Sequence, residues 1–321
     1  MKKTVKYIPN NDKKFYDDIK EYLENKDITL EEFTYKPNFL LPKFIKKYNM
    51  DNEIKKEKEL TLSFAPFKNL DIYIHRGKLN GDALKAIKTA KQVVVNSYTQ
   101  KSIIEKNLGG RQDNINIIYP YVETEKKDRK ALKEKIFKDV NISNPDEHII
   151  LFTAKNFRSN GINEFMDIIA SLNQRNFVAF IVGTKEEIGK SKFVVDRYAE
   201  HMQHIYFIEI ANKDYSLDDL FAISDVFILP THRTIFSINT LKAMAYKNIV
   251  MIPSLNGASE IVDAFAIMES PKDTMVGFKI DAVLSRKKDL KLIKKTNKDT
   301  AKNYGKKRYL ESLTTLIDSL R

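Results

Sequence analysis

From residue 149 to residue 262 the chain alternates short apolar runs with amphipathic stretches, and this alternation is its strongest constraint on fold. Ile149-Ile150-Leu151-Phe152 opens the series. Val178-Ala179-Phe180-Ile181-Val182-Gly183 follows, and Asp225-Val226-Phe227-Ile228-Leu229-Pro230 comes after that. Runs of this length bounded by polar turns read as strands, and the stretches between them read as helices. Strands that alternate with helices build a parallel sheet covered on its faces by helices, so the predicted class is α/β.

The same rhythm runs through the first third of the chain. Strands are expected at Val5–Ile8, Leu60–Phe64, Leu70–His75, Gln92–Ser97 and Ile115–Pro120. Helices are expected from about Asp12 to Glu24, over Ala83–Ala90 and over Gln100–Leu108. Residues 123–147 are charged and helical, and the interdomain connection is placed there. The lysine-rich tail ends in an amphipathic helix, Tyr304–Leu320, with Tyr309, Leu310, Leu313, Leu316, Ile317 and Leu320 on one side. The expected division is 1–125, 126–300 and a terminal helical segment, 301–321.

Composition narrows the classes. A chain of 321 residues suits two ordinary domains, and 42% apolar with 11% aromatic content supports a core. No apolar run reaches the ~18 residues of a membrane span. The first residues, Met1-Lys2-Lys3-Thr4-Val5-Lys6-Tyr7, are basic without an apolar h-region, so no secretory leader is expected. With no cysteine there are no disulfides and no thiolate metal sites, which fits a cytoplasmic protein. The net charge of +12 suits a phosphate-bearing substrate, an anionic membrane surface or nucleic acid. Nucleic acid ranks last, because no zinc-finger, helix-turn-helix or aromatic RNA-binding signature is present. A lysine-rich composition with no partner at all is the plain alternative.

Several loops carry candidate chemistry. Ala154-Lys155-Asn156-Phe157-Arg158-Ser159-Asn160-Gly161 leads from a strand into a helix. Glycine at such a turn lets backbone N–H groups approach an anion, and the helix start adds partial positive charge. Lys155 and Arg158 bring cations. A solvated turn with Asn160 as helix cap is the alternative. Pro230 delivers the loop Thr231–Ser237 to the carboxyl end of the sheet, where open α/β folds bind ligands. There Thr234 can bond a hydroxyl, and the N–H groups of Ile235, Phe236 and Ser237 suit a phosphate at the next helix start. Lys242 can pair with a phosphate, and His232 lies in the same loop. Asn256-Gly257-Ala258-Ser259-Glu260-Ile261-Val262 adds a further tight turn, with Glu260 as a ligand contact or as a helix cap. His75 ends a strand and can donate to a hydroxyl or to developing charge, unless it is a structural histidine. His148, His201, His204 and His232 show no metal-like grouping, and no metal is expected.

In order and spacing these segments resemble the donor-nucleotide half of the family 4 (glycosyl transferases group 1) type of GT-B glycosyltransferase. The resemblance implies two Rossmann-like domains with parallel sheets facing across a cleft, and a last helix crossing back to the first domain. It implies donor binding by Lys155, Arg158, Asn160, Gly161, Ile235, Phe236, Ser237, Lys242 and Glu260. Catalytic contacts fall to His75 and Thr234. The implied reaction moves a hexose, with retention and without metal or cofactor, from a nucleotide sugar to a glycan, glycolipid or protein acceptor. The implied location is cytoplasmic, peripheral on the inner membrane face. The chain departs from the family pattern at its charged positions. Lys155 stands for an arginine, Asn160-Gly161 for Lys-Gly, and Thr234 and Lys242 for a pair of glutamates. Pro9-Asn10-Asn11-Asp12 replaces a glycine-rich loop, and the first domain is short. These departures also fit a non-catalytic GT-B protein that binds a glycan or partners an active glycosyltransferase.

Overall fold

The structure, a computed structural model, describes residues 3–7, 13–26, 28–32, 70–77, 79–198 and 203–320. The strand expected at Leu60–Phe64, the loop Pro9–Asp12 and His201 lie outside them. Two compact units divide the chain. One comprises Met1–Tyr119 with Lys307–Arg321, and the other Pro120–Lys306.

The first unit holds β1 (Lys3–Tyr7), α1 (Lys13–Glu24), β2 (Ile28–Glu32), β3 (Ile72–His75), α2 (Gly81–Thr89), β4 (Gln92–Val95), α3 (Tyr98–Leu108) and β5 (Ile115–Ile117). Its five strands are all parallel in the order β2-β1-β3-β4-β5. β4 is expected to reach Ser97 but stops at Val95, because Ser97 is the cap of α3: its Oγ accepts from the Gln100 N–H at 3.1 Å. Val93, Val95, Ile87, Ile104 and Ile115 pack with Leu70 in the core. The last helix, Lys306–Asp318, joins this unit and buries Tyr309, Leu310, Leu313 and Ile317 at the i, i+3/i+4 spacing read from the sequence.

The second unit runs α4 (Arg129–Asp139), β6 (His148–Thr153), α5 (Ile162–Ser171), β7 (Phe177–Gly183), α6 (Lys185–Asp196), β8 (Ile205–Glu209), α7 (Leu217–Ile223), β9 (Val226–Ile228), α8 (Ile238–Ala245), β10 (Ile249–Pro253), β11 (Ile267–Met268), α9 (Met275–Leu284) and α10 (Lys287–Ala301). α4 is shorter than the charged segment suggested, because Asp128 caps its start through the N–H groups of Lys130 and Ala131. All six strands are parallel, in the order β11-β10-β9-β6-β7-β8. The chain builds outward from β6 to β8, then returns to β6's other side with β9. That reversal falls between β6 and β9, and the carboxyl ends of strands at such a reversal are the place where these sheets take ligands.

Why the sheet stays in place is visible in its side chains. Ile149, Ile150, Leu151, Phe152, Phe180, Ile181 and Phe227 are fully buried. Each contributes roughly 1.5–3 kcal/mol by leaving water. At the amino ends of the strands, Asp225 takes Arg129 Nη2 at 2.7 Å, Lys294, His148 Nδ1 at 3.3 Å and the Ile149 N–H at 3.0 Å. Burial alone pushes its carboxyl up. The His148 hydrogen bond with Lys294 and Arg129 outweighs burial and holds it well below the usual carboxylate range.

Candidate functional site

Three loops of the second unit meet beyond the carboxyl ends of β6, β9 and β10. The first runs from Ala154 to Gly161 and holds one short 3-10 turn, Arg158–Asn160. Phe157 anchors it: the ring is buried and packs edge-on to Phe152 with centroids 5.3 Å apart, and its N–H donates to Glu187 Oε2 at 2.8 Å. A Cβ at Gly183 would come within 2.5 Å of that ring, so only glycine leaves the anchor room. Ser159 N donates to Asn156 Oδ1 at 2.9 Å, which tightens the turn.

The second loop, from Leu229 to Ser237, lies directly on the first. Gly161 has φ +84°, and a Cβ there would sit 2.0 Å from the Pro230 carbonyl oxygen. Both the left-handed backbone and the close approach demand glycine. His232 N donates to the Ser159 carbonyl at 3.2 Å, and Thr231 Oγ1 donates to Asn160 Oδ1 at 2.9 Å. The third loop is joined to the second by Asn256. Its buried amide donates to the Arg233 and Ile235 carbonyls at 2.8 and 2.7 Å, and its Oδ1 accepts from Ser237 N at 3.2 Å. Gly257 N closes the contact on the Thr234 carbonyl at 3.0 Å.

Most of the residues expected at the site are gathered here: Lys155, Arg158, Asn160, Gly161, Thr234, Ile235, Phe236, Ser237 and Glu260 lie on these three loops. Their side chains differ in what they have left to offer. Lys155 and Arg158 are exposed, and among the described residues neither has an ion-pair partner. Asn160 is turned inward. Its Nδ2 donates to the Asn156 carbonyl at 2.6 Å and its Oδ1 is taken by Thr231, so the amide clips the two loops together instead of facing a ligand. Ser237 is likewise committed: its N–H goes to Asn256 and its Oγ caps α8 by accepting from Thr240 N at 3.2 Å. An anion at this helix start must therefore be met by other groups. Lys242 sits one turn into α8, where its ammonium pairs with Asp218 Oδ1 at 2.7 Å, while Tyr246 OH donates to Asp218 Oδ2 at 3.3 Å. The expected phosphate contact is thus a half-buried ion pair between α7 and α8.

Arg233 was not singled out from the sequence. It is exposed, it neighbours Thr234, and among the described residues it has no ion-pair partner. Lys155, Arg158 and Arg233 bring exposed positive charge to these loops, and the starts of α5 and α8 add partial positive charge. Among the described residues no three His, Cys, Asp or Glu side chains converge as a metal site.

His75 belongs to the first unit. Its ring is 2% exposed and lies 3.3 Å from Tyr73 OH through Nδ1. Burial pulls its pKa down to about 4, so at neutral pH it is an uncharged hydrogen-bonding ring.

The model of the family described as "Glycosyl transferases group 1" matches residues 133–302, more than half of the chain. No curated protein matches it. Solved structures similar over nearly the whole chain include a glycosyltransferase from Rickettsia africae, at 16% identity and TM-score 0.69, covering 99% of this chain and 98% of that one. Anabaena HepE in complex with UDP-glucose aligns at 14% identity and TM-score 0.69, covering 98% and 99%. A sucrose-phosphate synthase from Thermosynechococcus elongatus aligns at 13% identity and TM-score 0.71, covering 99% of each chain. At these identities the likeness is one of fold, two parallel α/β sheets as in GT-B glycosyltransferases. The match over the second unit goes further: the chain belongs to the glycosyl transferases group 1 family, and glycosyl transfer is the activity that family and fold support.

Proposed function

We propose that the protein is a retaining, metal-independent hexosyltransferase that takes its sugar from a nucleotide sugar and passes it to a glycan, glycolipid or protein acceptor. The observation that carries this reading is the set of uncommitted cations, Lys155, Arg158 and Arg233, on loops fused at the switch point of the second sheet. As the sugar leaves, charge grows on the diphosphate. Preplaced guanidinium and ammonium groups stabilise that charge without reorganising, which is the electrophilic task a metal performs elsewhere. Thr234 is a hydroxyl contact for the sugar, and Glu260 for sugar or ribose. His75, neutral, is a donor to a sugar hydroxyl. HepE, of like fold, binds UDP and UDP-glucose, so uridine diphosphate sugars are the first donors to try.

A thermal-shift panel of UDP-, GDP-, ADP- and CMP-sugars tests the reading. A donor at ~100 times its dissociation constant adds about 2.7 kcal/mol of stability. The expected result is a selective shift that Lys155→Ala and Arg158→Ala each weaken. No shift with any donor in folded protein would sink it.

A second reading is favoured by the Lys242–Asp218 pair, which stands where family members carry a ribose-binding glutamate. In that reading the protein is a non-catalytic partner of an active glycosyltransferase. Donor binding without transfer or hydrolysis of the sugar would select it. The placement on an anionic inner-membrane face, with the protein on its cytoplasmic side, is supported by the lysines of α10.

A further inference from the structure

Glu164, on the first turn of α5, is paired with His232 across the two fused loops. His232 Nε2 lies 3.1 Å from Glu164 Oε1. The carboxylate side chain is only 8% exposed, and its Oε2 is buried and has no hydrogen-bond partner among the described residues. A carboxylate so far out of water, with one oxygen unsatisfied, is costly unless positive charge faces it. The imidazole it holds is 47% exposed. His232 N is bonded to the Ser159 carbonyl, which fixes the residue against the loop after β6, beside Asn160. There the Asn160 amide is spent on Asn156 and Thr231. With Nε2 directed at Glu164, Nδ1 is the ring nitrogen left for a ligand. In a neutral ring Nδ1 accepts; in a protonated ring it donates.

We infer that His232, oriented by the buried Glu164 carboxylate, contacts a donor phosphate as an imidazolium and supplies positive charge that Asn160 cannot. The inference rests on the reading of these loops as a nucleotide-sugar site and names a further residue in it. The carboxylate fixes the ring's direction through Nε2, and a ring carrying a proton on each nitrogen donates to Glu164 on one side and to the phosphate on the other. Both ring nitrogens therefore carry a proton when a donor is bound. Glu164 touches the ring from α5. Arg158 and Arg233 are carried by the two loops that hold it, with Lys155 at the start of the first. Asp167, one turn beyond Glu164, is bonded to Tyr198 OH after α6.

Titration calorimetry on the full chain tests this, with UDP-glucose, GDP-mannose and ADP-glucose as probes. Their diphosphate bridges do not titrate between about pH 5 and 8, so a pH-dependent affinity over that range reports on the protein. The affinity of the unaltered protein is expected to fall about tenfold or more from the acid to the basic end of that range. His232→Gln should bind weakly with a flat profile. His232→Lys, a fixed cation, should bind well throughout. Glu164→Gln, which removes the carboxylate that directs the ring, should bind more weakly than the unaltered protein. A His232→Gln profile with the same slope as the unaltered protein would overturn the inference and leave the donor-site reading standing. No binding of any probe at any pH would overturn both.

Discussion

At neutral pH His75 is an uncharged ring inside the first unit, and Asp225 is an ionised carboxylate inside the second. Both link stability to pH, in separate windows. The folded state keeps His75 neutral down to about pH 4, whereas the unfolded chain protonates it near 6.5. Stability from this group is complete above the unfolded value and is lost as pH falls toward 4, amounting to about 3 kcal/mol. Asp225 acts lower. Its folded pKa is depressed, so its contribution holds above an unfolded value of about 3.9 and drains away only below that. Urea unfolding at pH 7 and near pH 4.5 separates the two: the unaltered protein should lose about 2–3 kcal/mol, and His75→Gln much less. An equal loss in both proteins would show that His75 is not the group responsible. Residue identities of this kind were partly legible. Lys155 and Arg158 stood out as loop cations, because charge beside a glycine turn needs no tertiary knowledge. The partners did not. Glu164 reads as an ordinary acid in a helix's first turn, and His232 is 68 positions later. Lys242 reads as free until α7 places Asp218 beside it.

Elements were easier to read than side-chain directions. Apolar runs with helical stretches between them predict strands β6, β7 and β9, and the ends that moved did so for local reasons, as at Ser97 and Asp128. Sheet order was not readable, since pairing of β6 with β9 depends on contacts across 76 positions or more. Loop fusion is not readable from sequence either. Gly161 looks like a phosphate-loop glycine, yet its first obligation is to the Pro230 carbonyl. Gly161→Ala should therefore cost about 1–3 kcal/mol in backbone strain alone, with more from the clash. Melting temperature and donor affinity should fall together. A variant with unchanged melting temperature and weakened affinity would instead place this glycine against the ligand.

At the scale of the molecule, net charge is unevenly spent. Lys287, Lys288, Lys291 and Lys295 are exposed on α10 alongside Leu292, which is 64% exposed, and the preceding helix shows Met275 and Phe278, the latter 61% exposed. Basic side chains around exposed apolar ones suit the boundary of an anionic bilayer, with each cation near the surface worth about 1 kcal/mol. Flotation with vesicles rich in phosphatidylglycerol should capture the protein at low salt and release it as screening shortens to about 3 Å near 1 M. Lys288→Glu with Lys291→Glu should abolish capture without altering donor affinity. Capture by neutral phosphatidylcholine vesicles to the same extent would contradict the electrostatic basis.

The first unit is assembled from both ends of the chain, and this sets an order of events during synthesis. Its strands emerge before residue 120, but Tyr309, Leu310, Leu313 and Ile317 arrive only after the 187 residues of Pro120–Lys306 have been made. At about 5–20 residues per second, translation leaves a gap of roughly 10–40 s. Throughout that interval the earlier-made unit waits on the ribosome with a vacant apolar seat, and when the interval ends the later-made one has its whole sequence while the earlier one still lacks its last helix. The nascent chain thus finishes its second half first, and holding chaperones have most to cover on the half that was born earliest.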